Sequence, residues 1–158
     1  MILKSGLGGL VSAGLLSAVH FGITDAHDMT MILGSFGATS VLLFAAPVVP
    51  FSQPRNVIGG HLISAFVGVS ALKLCGGNAA LAVPLACGAS IMAMQATNTV
   101  HPPAGGTALI AVMGSPALTA MGYGLLVPTG LGSGLLVASA VLYNNTLRGA
   151  MRYPQYWY

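Results

Sequence analysis

One histidine, two prolines and a pair of glycines stand together in the middle of this chain, at His101-Pro102-Pro103-Ala104-Gly105-Gly106-Thr107, with apolar sequence on both sides. Proline breaks a helix by removing an N–H and crowding the preceding turn. At membrane depth the freed backbone groups are costly, so such a break is tolerated only inside protein or beside water. The surroundings are of membrane grade: 55% of 158 residues are hydrophobic, 4% are charged, and mean hydropathy is +0.85. A soluble domain carries roughly 25% charged residues, so this chain cannot clothe a water-facing surface. The expectation is one integral membrane domain over residues 1–158, with no soluble domain attached.

Six apolar segments can be drawn, at about 7–23, 31–46, 57–74, 79–97, 104–114 and 127–147, the fifth extending weakly through Tyr123. A full span needs roughly 20 residues. Segments one, three, four and six qualify, segment two is marginal and segment five is short. The fold class is therefore an all-α, polytopic transmembrane helix bundle with short or broken helices. Lys4 precedes an apolar run as in a signal peptide, but no convincing cleavage site follows, so the run is read as a helix. If all six segments cross, Lys4, Arg55, Arg148 and Arg152 share one side, and Asp25, Asp28 and Lys73 the other. The positive-inside rule then puts both termini in the cytoplasm. The closing stretch Arg152-Tyr153-Pro154-Gln155-Tyr156-Trp157-Tyr158 fits an interfacial belt on that surface.

A weak internal repeat accompanies the break. Ser52-Gln53-Pro54-Arg55-Asn56-Val57-Ile58-Gly59-Gly60-His61 lies 46 positions before Asn98-Thr99-Val100-His101-Pro102-Pro103-Ala104-Gly105-Gly106-Thr107. The glycine pairs align, as do Ala65 with Ala111 and Gly68 with Gly114. Each unit reads as helix, proline-containing loop, glycine-started helix. Two helices per unit leave both copies in one orientation, which predicts a parallel two-helix repeat with a pseudo-twofold axis along the membrane normal.

The chemistry expected of these loops is anion binding. Each feeds a helix N-terminus, which carries unpaired N–H donors and about half a positive charge. Glycine there lets a ligand approach the backbone. No Asp or Glu follows Asp28, whereas cation pathways are lined by carboxylates. The candidate substrate-binding residues are Arg55, Asn56, Gly59, Gly60, His61, Asn98, His101, Gly105, Gly106 and Thr107. Arg55 reads either as a topology anchor or as a guanidinium that concentrates anions at a pore mouth. His101 either caps the turn or lines the pathway as a proton-linked donor. His61 either bonds a neighbouring helix or faces the ligand. Thr97, Thr99, Ser35, Thr39 and Ser40 add neutral donors, although Ser and Thr on membrane helices often bond their own backbone. Gly6, Gly8, Gly9, Gly14, Gly130, Gly132 and Gly134 read as sites of close helix contact.

Other chemistry finds little footing. His20, Asp25, His27 and Asp28 match no firm metal spacing and read as a solvated polar turn. Cys75 and Cys87 fall in no CxxC or Cys/His pattern and read as small packing residues. Nucleotide loop, catalytic triad and carboxylate pair are all missing, so neither enzyme activity nor a cofactor is expected. Five basic residues are too few for a nucleic-acid groove. The expected partners are a small anion, the lipid bilayer and further copies of the chain in a homo-oligomer.

The chain resembles the HPP family of small integral membrane proteins, named for the motif that here is His101-Pro102-Pro103. The likeness extends to Phe36-Gly37-Ala38-Thr39-Ser40-Val41-Leu42-Leu43-Phe44, Gln53-Pro54-Arg55-Asn56-Val57-Ile58-Gly59-Gly60-His61, Tyr143-Asn144-Asn145 and Arg152-Tyr153-Pro154-Gln155-Tyr156-Trp157, in order along most of the sequence. This resemblance implies nitrite transport, in a bacterial plasma membrane or a plastid-type membrane. It also implies four spanning helices, which singles out segments two and five as incomplete crossings. Some members carry an appended CBS domain; none is seen here, so nucleotide regulation is not expected. The reading is a channel or carrier for a small monovalent anion, nitrite foremost. The alternatives are a channel for a small neutral solute or weak acid, and a membrane assembly or sensor subunit with no pathway.

Overall fold

The computed structural model describes residues 2–24, 34–147 and 152–158. Among them the regular structure is all helical, with no strand. The helices are α1 (Ile2–Val19), α2 (Gly34–Ala45), α3 (Pro54–Leu74), α4 (Ala79–Ala96), α5 (Pro102–Met113), α6 (Pro116–Ala120) and α7 (Leu126–Thr146). A π-helical turn, His20–Thr24, extends α1, and 3₁₀ turns at Pro50–Ser52 and Gly122–Leu125 lead into α3 and α7. Four apolar stretches are long enough to span: Ile2–Gly22, Pro54–Leu74, Ala79–Ala96 and Gly122–Thr146. Helices α2 and α5 have 12 residues each. At about 1.5 Å per residue they reach only about 18 Å, little more than half of a hydrocarbon core. Segment five stops at Met113, because Ser115 accepts from the Leu118 N–H and starts α6 with Pro116 in its first turn.

The breaks are set by local rules. Gln53 and His101 are the extended residues ahead of α3 and α5, and each is followed by proline at the first helical position. Proline costs nothing there, since that N–H has no intrahelical acceptor anyway. Helix α4 stops at Asn98, which adopts a left-handed φ of 54°. Its N–H donates to Gln95 O and that of Thr99 to Met94 O, the paired bonds of a Schellman stop.

Helix α3 is central, packed on α4, α5 and α7, while α2 lies across α5 and α7 and α1 closes the side formed by α2 and α7. Lipid supplies no hydrophobic force between helices, so close fit and hydrogen bonds hold such a bundle together. The fit relies on glycine. A Cβ on Gly68 would lie 2.5 Å from Ala108 O, so α3 and α5 approach backbone to backbone. Phe36 fills the space over Gly132, and Phe44 and Tyr143 fill that over Gly8. Gly6, Gly9, Gly14 and Gly134 meet no neighbour within 4 Å. One cluster of buried residues gathers Phe36, Leu43, Phe44, Val57, Leu136 and Tyr143. A second, of Ala71, Ala82, Ala86, Ala108 and Val112, joins α3, α4 and α5.

The bundle has a distinct loop end, where α2 and α4 finish and α3 and α5 begin. The end of α7 and the C-terminal segment share it: Asn145 Nδ2 donates to Tyr153 O, and the Tyr153 N–H returns to Asn145 Oδ1 at 2.9 Å. The start of α1 lies there too, since Tyr143 Oη donates to Lys4 O at 2.7 Å. Lys4, Arg55 and Arg152 therefore share one end, and Lys73 is a helix length away, 5.4 Å from the Tyr123 ring centroid. Arg148, Asp25, His27 and Asp28 lie outside the described residues.

Candidate functional site

The two proline breaks sit side by side at the loop end. The Arg55 guanidinium donates to Thr97 O at 2.8 Å, and Asn56 Nδ2 donates to Val100 O at 2.9 Å. A Cβ on Gly60 would stand 2.8 Å from Thr99 O and from His101 Cβ, and one on Gly59 would stand 2.8 Å from Thr99 Cγ2. Space beside that first glycine pair is thus occupied by the second loop. Gly105 has open space beside it, and Gly106 faces Ser35 Cβ at 3.5 Å. Equivalent positions of the 46-residue repeat meet directly: His61 Nδ1 is 2.7 Å from Thr107 Oγ1. That contact, with Gly68 against Ala111, places α3 and α5 as parallel counterparts.

Below the loops lies a buried polar chain on three helices. Thr39 of α2 is its hub: Thr39 Oγ1 is 2.8 Å from His61 Nε2, 2.9 Å from His101 Nε2 and 3.0 Å from Ser35 O. Thr107 Oγ1 continues from His61 Nδ1 to Ser35 Oγ at 2.8 Å. At the other end His101 Nδ1 donates to Phe51 O at 2.7 Å. Thr39, His61, His101 and Thr107 are all fully buried. The imidazoles meet edge to face, with centroids 4.9 Å apart, and Phe36 covers His61 at 5.1 Å. Every nitrogen of both rings has a partner, as a dry site requires.

The C-terminal segment locks the first loop. Gln53 Nε2 donates to Pro47 O and Val49 O, while its Oε1 accepts from the Gln155 N–H. Ser52 Oγ donates to Ala46 O, and Tyr153 Oη donates to Ser52 O at 2.7 Å. Burial pushes the Tyr153 phenol pKa up. Tyr156, Trp157 and Tyr158 remain exposed, as an interfacial belt would be, but Tyr153 is a core residue.

Of the residues anticipated from sequence, His61, His101 and Thr107 come together in the buried chain. Arg55 and Asn56 tie the loops to each other, Gly59 and Gly60 are the surface on which the second loop rests, and Asn98 is the exposed stop of α4. Gly105 and Gly106 line the partly open start of α5. Thr39 and Ser35 were noted only as neutral donors and left out of the candidate binding residues, because a threonine on an apolar helix ordinarily bonds its own backbone. Ser35 O lies within reach of the Thr39 hydroxyl, at 3.0 Å, as an alternative acceptor to His101 Nε2; the presence of two histidines awaiting a buried partner was the available signal. No three His, Cys, Asp or Glu side chains gather among the described residues, and the His20 ring lies beside Phe21, tilted at 56° to it. Cys75 and Cys87 are free thiols.

Comparison with known proteins agrees with this architecture. The family model described as "HPP, transmembrane region" matches residues 1–154. Two Dictyostelium discoideum proteins, each named only as a transmembrane protein, are 40% identical over 147 residues and 36% identical over 157 residues. These matches cover 91% and 98% of this chain but 51% and 50% of the relatives, so the chain spans about half the length of the curated relatives it matches. No solved structure matches it.

Proposed function

The chain belongs to the HPP transmembrane family, and we propose that it moves a small monovalent anion, nitrite foremost, across the membrane by way of the paired break loops. The observation that carries this reading is the charge of the loop end. Two helices, α3 and α5, start side by side there, with Arg55 exposed at their junction and Lys4 and Arg152 on the same end. No acidic residue follows Asp28 in the sequence. Helix starts and guanidinium groups favour anions, and no carboxylate is at hand to reverse the sign. The membrane is a bacterial plasma membrane or one of plastid type, with the loop end on the cytoplasmic side, as the positive-inside rule assigns it.

The buried histidine–threonine chain is closed packing, so passage of the anion requires α2 and α5 to part at Thr39. The hydroxyl–imidazole pairs of the site, Thr39 with His61 and His101 and Thr107 with His61, are fully buried, away from any substrate, and the reading is of a transporter rather than an enzyme. We further propose a homo-oligomer, because α1 buries little more than Gly8, Ser12 and Leu16 and leaves Gly6, Gly14 and the rest of its surface outward. Native mass analysis in mild detergent showing only monomer would exclude it.

The test is flux of nitrite, nitrate, chloride and formate into liposomes containing the purified chain. Anion uptake above protein-free liposomes supports the proposal. Uptake of a neutral solute without any anion would instead favour the neutral-solute channel, and no flux of either would favour a subunit without a pathway.

A further inference from the structure

We infer that the buried chain Ser35–Thr107–His61–Thr39–His101 is a proton relay, which couples a proton to the movement of the anion; the coupling, though not the relay, rests on the transport reading above.

The direction of the relay follows from the hydrogen bonds. Phe51 O can only accept, so His101 Nδ1 carries a proton and, in the neutral ring, Nε2 accepts from Thr39. Thr39 has one hydroxyl proton. Having given it to His101, Thr39 must accept from His61, which fixes the His61 proton on Nε2. His61 Nδ1 then accepts from Thr107, and Thr107 from Ser35. Each of the five groups donates once, all in one sense, from Ser35 to Phe51.

The transfer balances at every atom. A hydronium ion at Ser35 gives a proton to Ser35 Oγ and leaves as water. Ser35 passes its own hydroxyl proton to Thr107 Oγ1, and Thr107 passes its proton to His61 Nδ1. His61 releases its Nε2 proton to Thr39 Oγ1, and Thr39 passes its proton to His101 Nε2. Each intermediate group gains one proton and loses one. The net result is an imidazolium at His101, with the bonds upstream reversed. Its Nδ1 proton is held by the Phe51 carbonyl; when that bond opens, the proton passes to a water at the loop end, which becomes hydronium, and the ring is left neutral with its proton on Nε2. While the chain resets, Ser35 O, at 3.0 Å, holds the turning Thr39 hydroxyl.

The imidazolium has no carboxylate to pair with. Helices α2 and α5 carry no titratable side chain, and α4 brings only Cys87. Helix α3 brings Arg55, which reaches Thr97 O. Tyr143 of α7 is bound to Lys4 O, and Tyr153 to Ser52 O. The counter-charge must come from the transported anion, so proton loading and anion entry favour each other by linkage. A proton crosses this packed chain without the helices parting, whereas the anion cannot.

Two measurements test this on the full chain. The first is nitrogen-15 NMR of histidine-labelled protein in lipid at neutral pH, with His20 and His27 replaced by glutamine so that only His61 and His101 report. Two neutral rings, one protonated at Nδ1 and the other at Nε2, are expected, and the Thr39→Val variant should lose that fixed pairing. Two rings with the same tautomer would overturn the relay whatever the protein transports. The second is nitrite uptake together with lumen acidification, with protein-free liposomes measuring leak of the neutral acid. The wild type and Thr39→Ser, which keeps the hydroxyl, should acidify the lumen with nitrite uptake. Thr39→Val, and Thr107→Val as an independent break, should lose the proton component. Acidification in Thr39→Val equal to the wild type would overturn the relay, as would wild-type nitrite uptake without acidification. Absence of wild-type nitrite uptake would remove the transport reading and with it the coupling, and leave the relay to be judged by the tautomers.

Discussion

Replacing Thr39 with valine keeps the shape of the side chain and removes one hydroxyl, which isolates the energetic role of the hub. Two interhelical hydrogen bonds are lost, to His61 Nε2 at 2.8 Å and to His101 Nε2 at 2.9 Å. The third contact, to Ser35 O, is within α2, where that carbonyl retains its helical bond. Two effects compete in setting the magnitude. Leaving buried polar atoms unpaired costs about 1–3 kcal/mol each by soluble-protein experience. Interhelical bonds in membranes are worth less, about 0.6 kcal/mol on average and about 1.7 at most, because helices separated in lipid find other partners. The membrane scale applies here, and two bonds give a loss of about 1–3 kcal/mol. At about 2–4 °C per kcal/mol for a chain of this size, the melting midpoint should fall by roughly 2–12 °C. The assay is thermal unfolding in detergent of the wild type, Thr39→Val and Thr39→Ser. Serine should recover most of the loss. Valine matching the wild type, or serine melting as low as valine, would refute the assignment of Thr39 as the hub.

Gly60→Ala should destabilise by about 1–3 kcal/mol through overpacking, since the new Cβ meets Thr99 O and His101 Cβ at 2.8 Å; Gly88→Ala, with nothing within 4 Å, is the matched control, and equal melting of the two variants would count against the loop contact. Arg55→Gln should slow nitrite entry and make the rate less sensitive to ionic strength, because a charge at the mouth acts through a screened field; stability should change by less than about 0.5 kcal/mol at this exposed site. The Tyr153 phenol has its pKa raised by burial. Its contribution to stability is therefore complete below the unfolded value near ~10 and is lost as pH rises through the folded value. Alkaline melting curves should show that loss in the wild type and not in Tyr153→Phe.

Much of the bundle was legible because its signals are local. Apolar run length separated the four spanning helices from the short α2 and α5; the prolines after Gln53 and His101, read as loop residues before glycine-started helices, are instead the first residues of α3 and α5. The repeat was readable from its glycine pairs, and the contact between His61 and Thr107 is the physical counterpart of that alignment. Periodicity carries no record of which faces meet. Gly59 and Gly60 read as open helix starts, yet the second loop fills the space beside them, a tertiary outcome no local rule contains. The role of Thr39 was hidden for the same reason: its contacts to His61 and His101 come together only when α2, α3 and the His101 break are packed. Tyr153 looked like one more interfacial aromatic, and only its partners Asn145 and Ser52 make it a core residue.

The central claim, that a small anion crosses where the two breaks meet, is tested most directly at Gly105. This position has open space beside it and is partly exposed at the start of α5, so cysteine fits there without displacing a neighbour. The measurement is nitrite uptake by liposomes carrying Gly105→Cys, with Cys75 and Cys87 replaced by alanine, before and after a bulky negatively charged thiol reagent. The account predicts uptake before labelling, its loss afterwards, and slower labelling when nitrite is present. Unchanged uptake after complete labelling would contradict it.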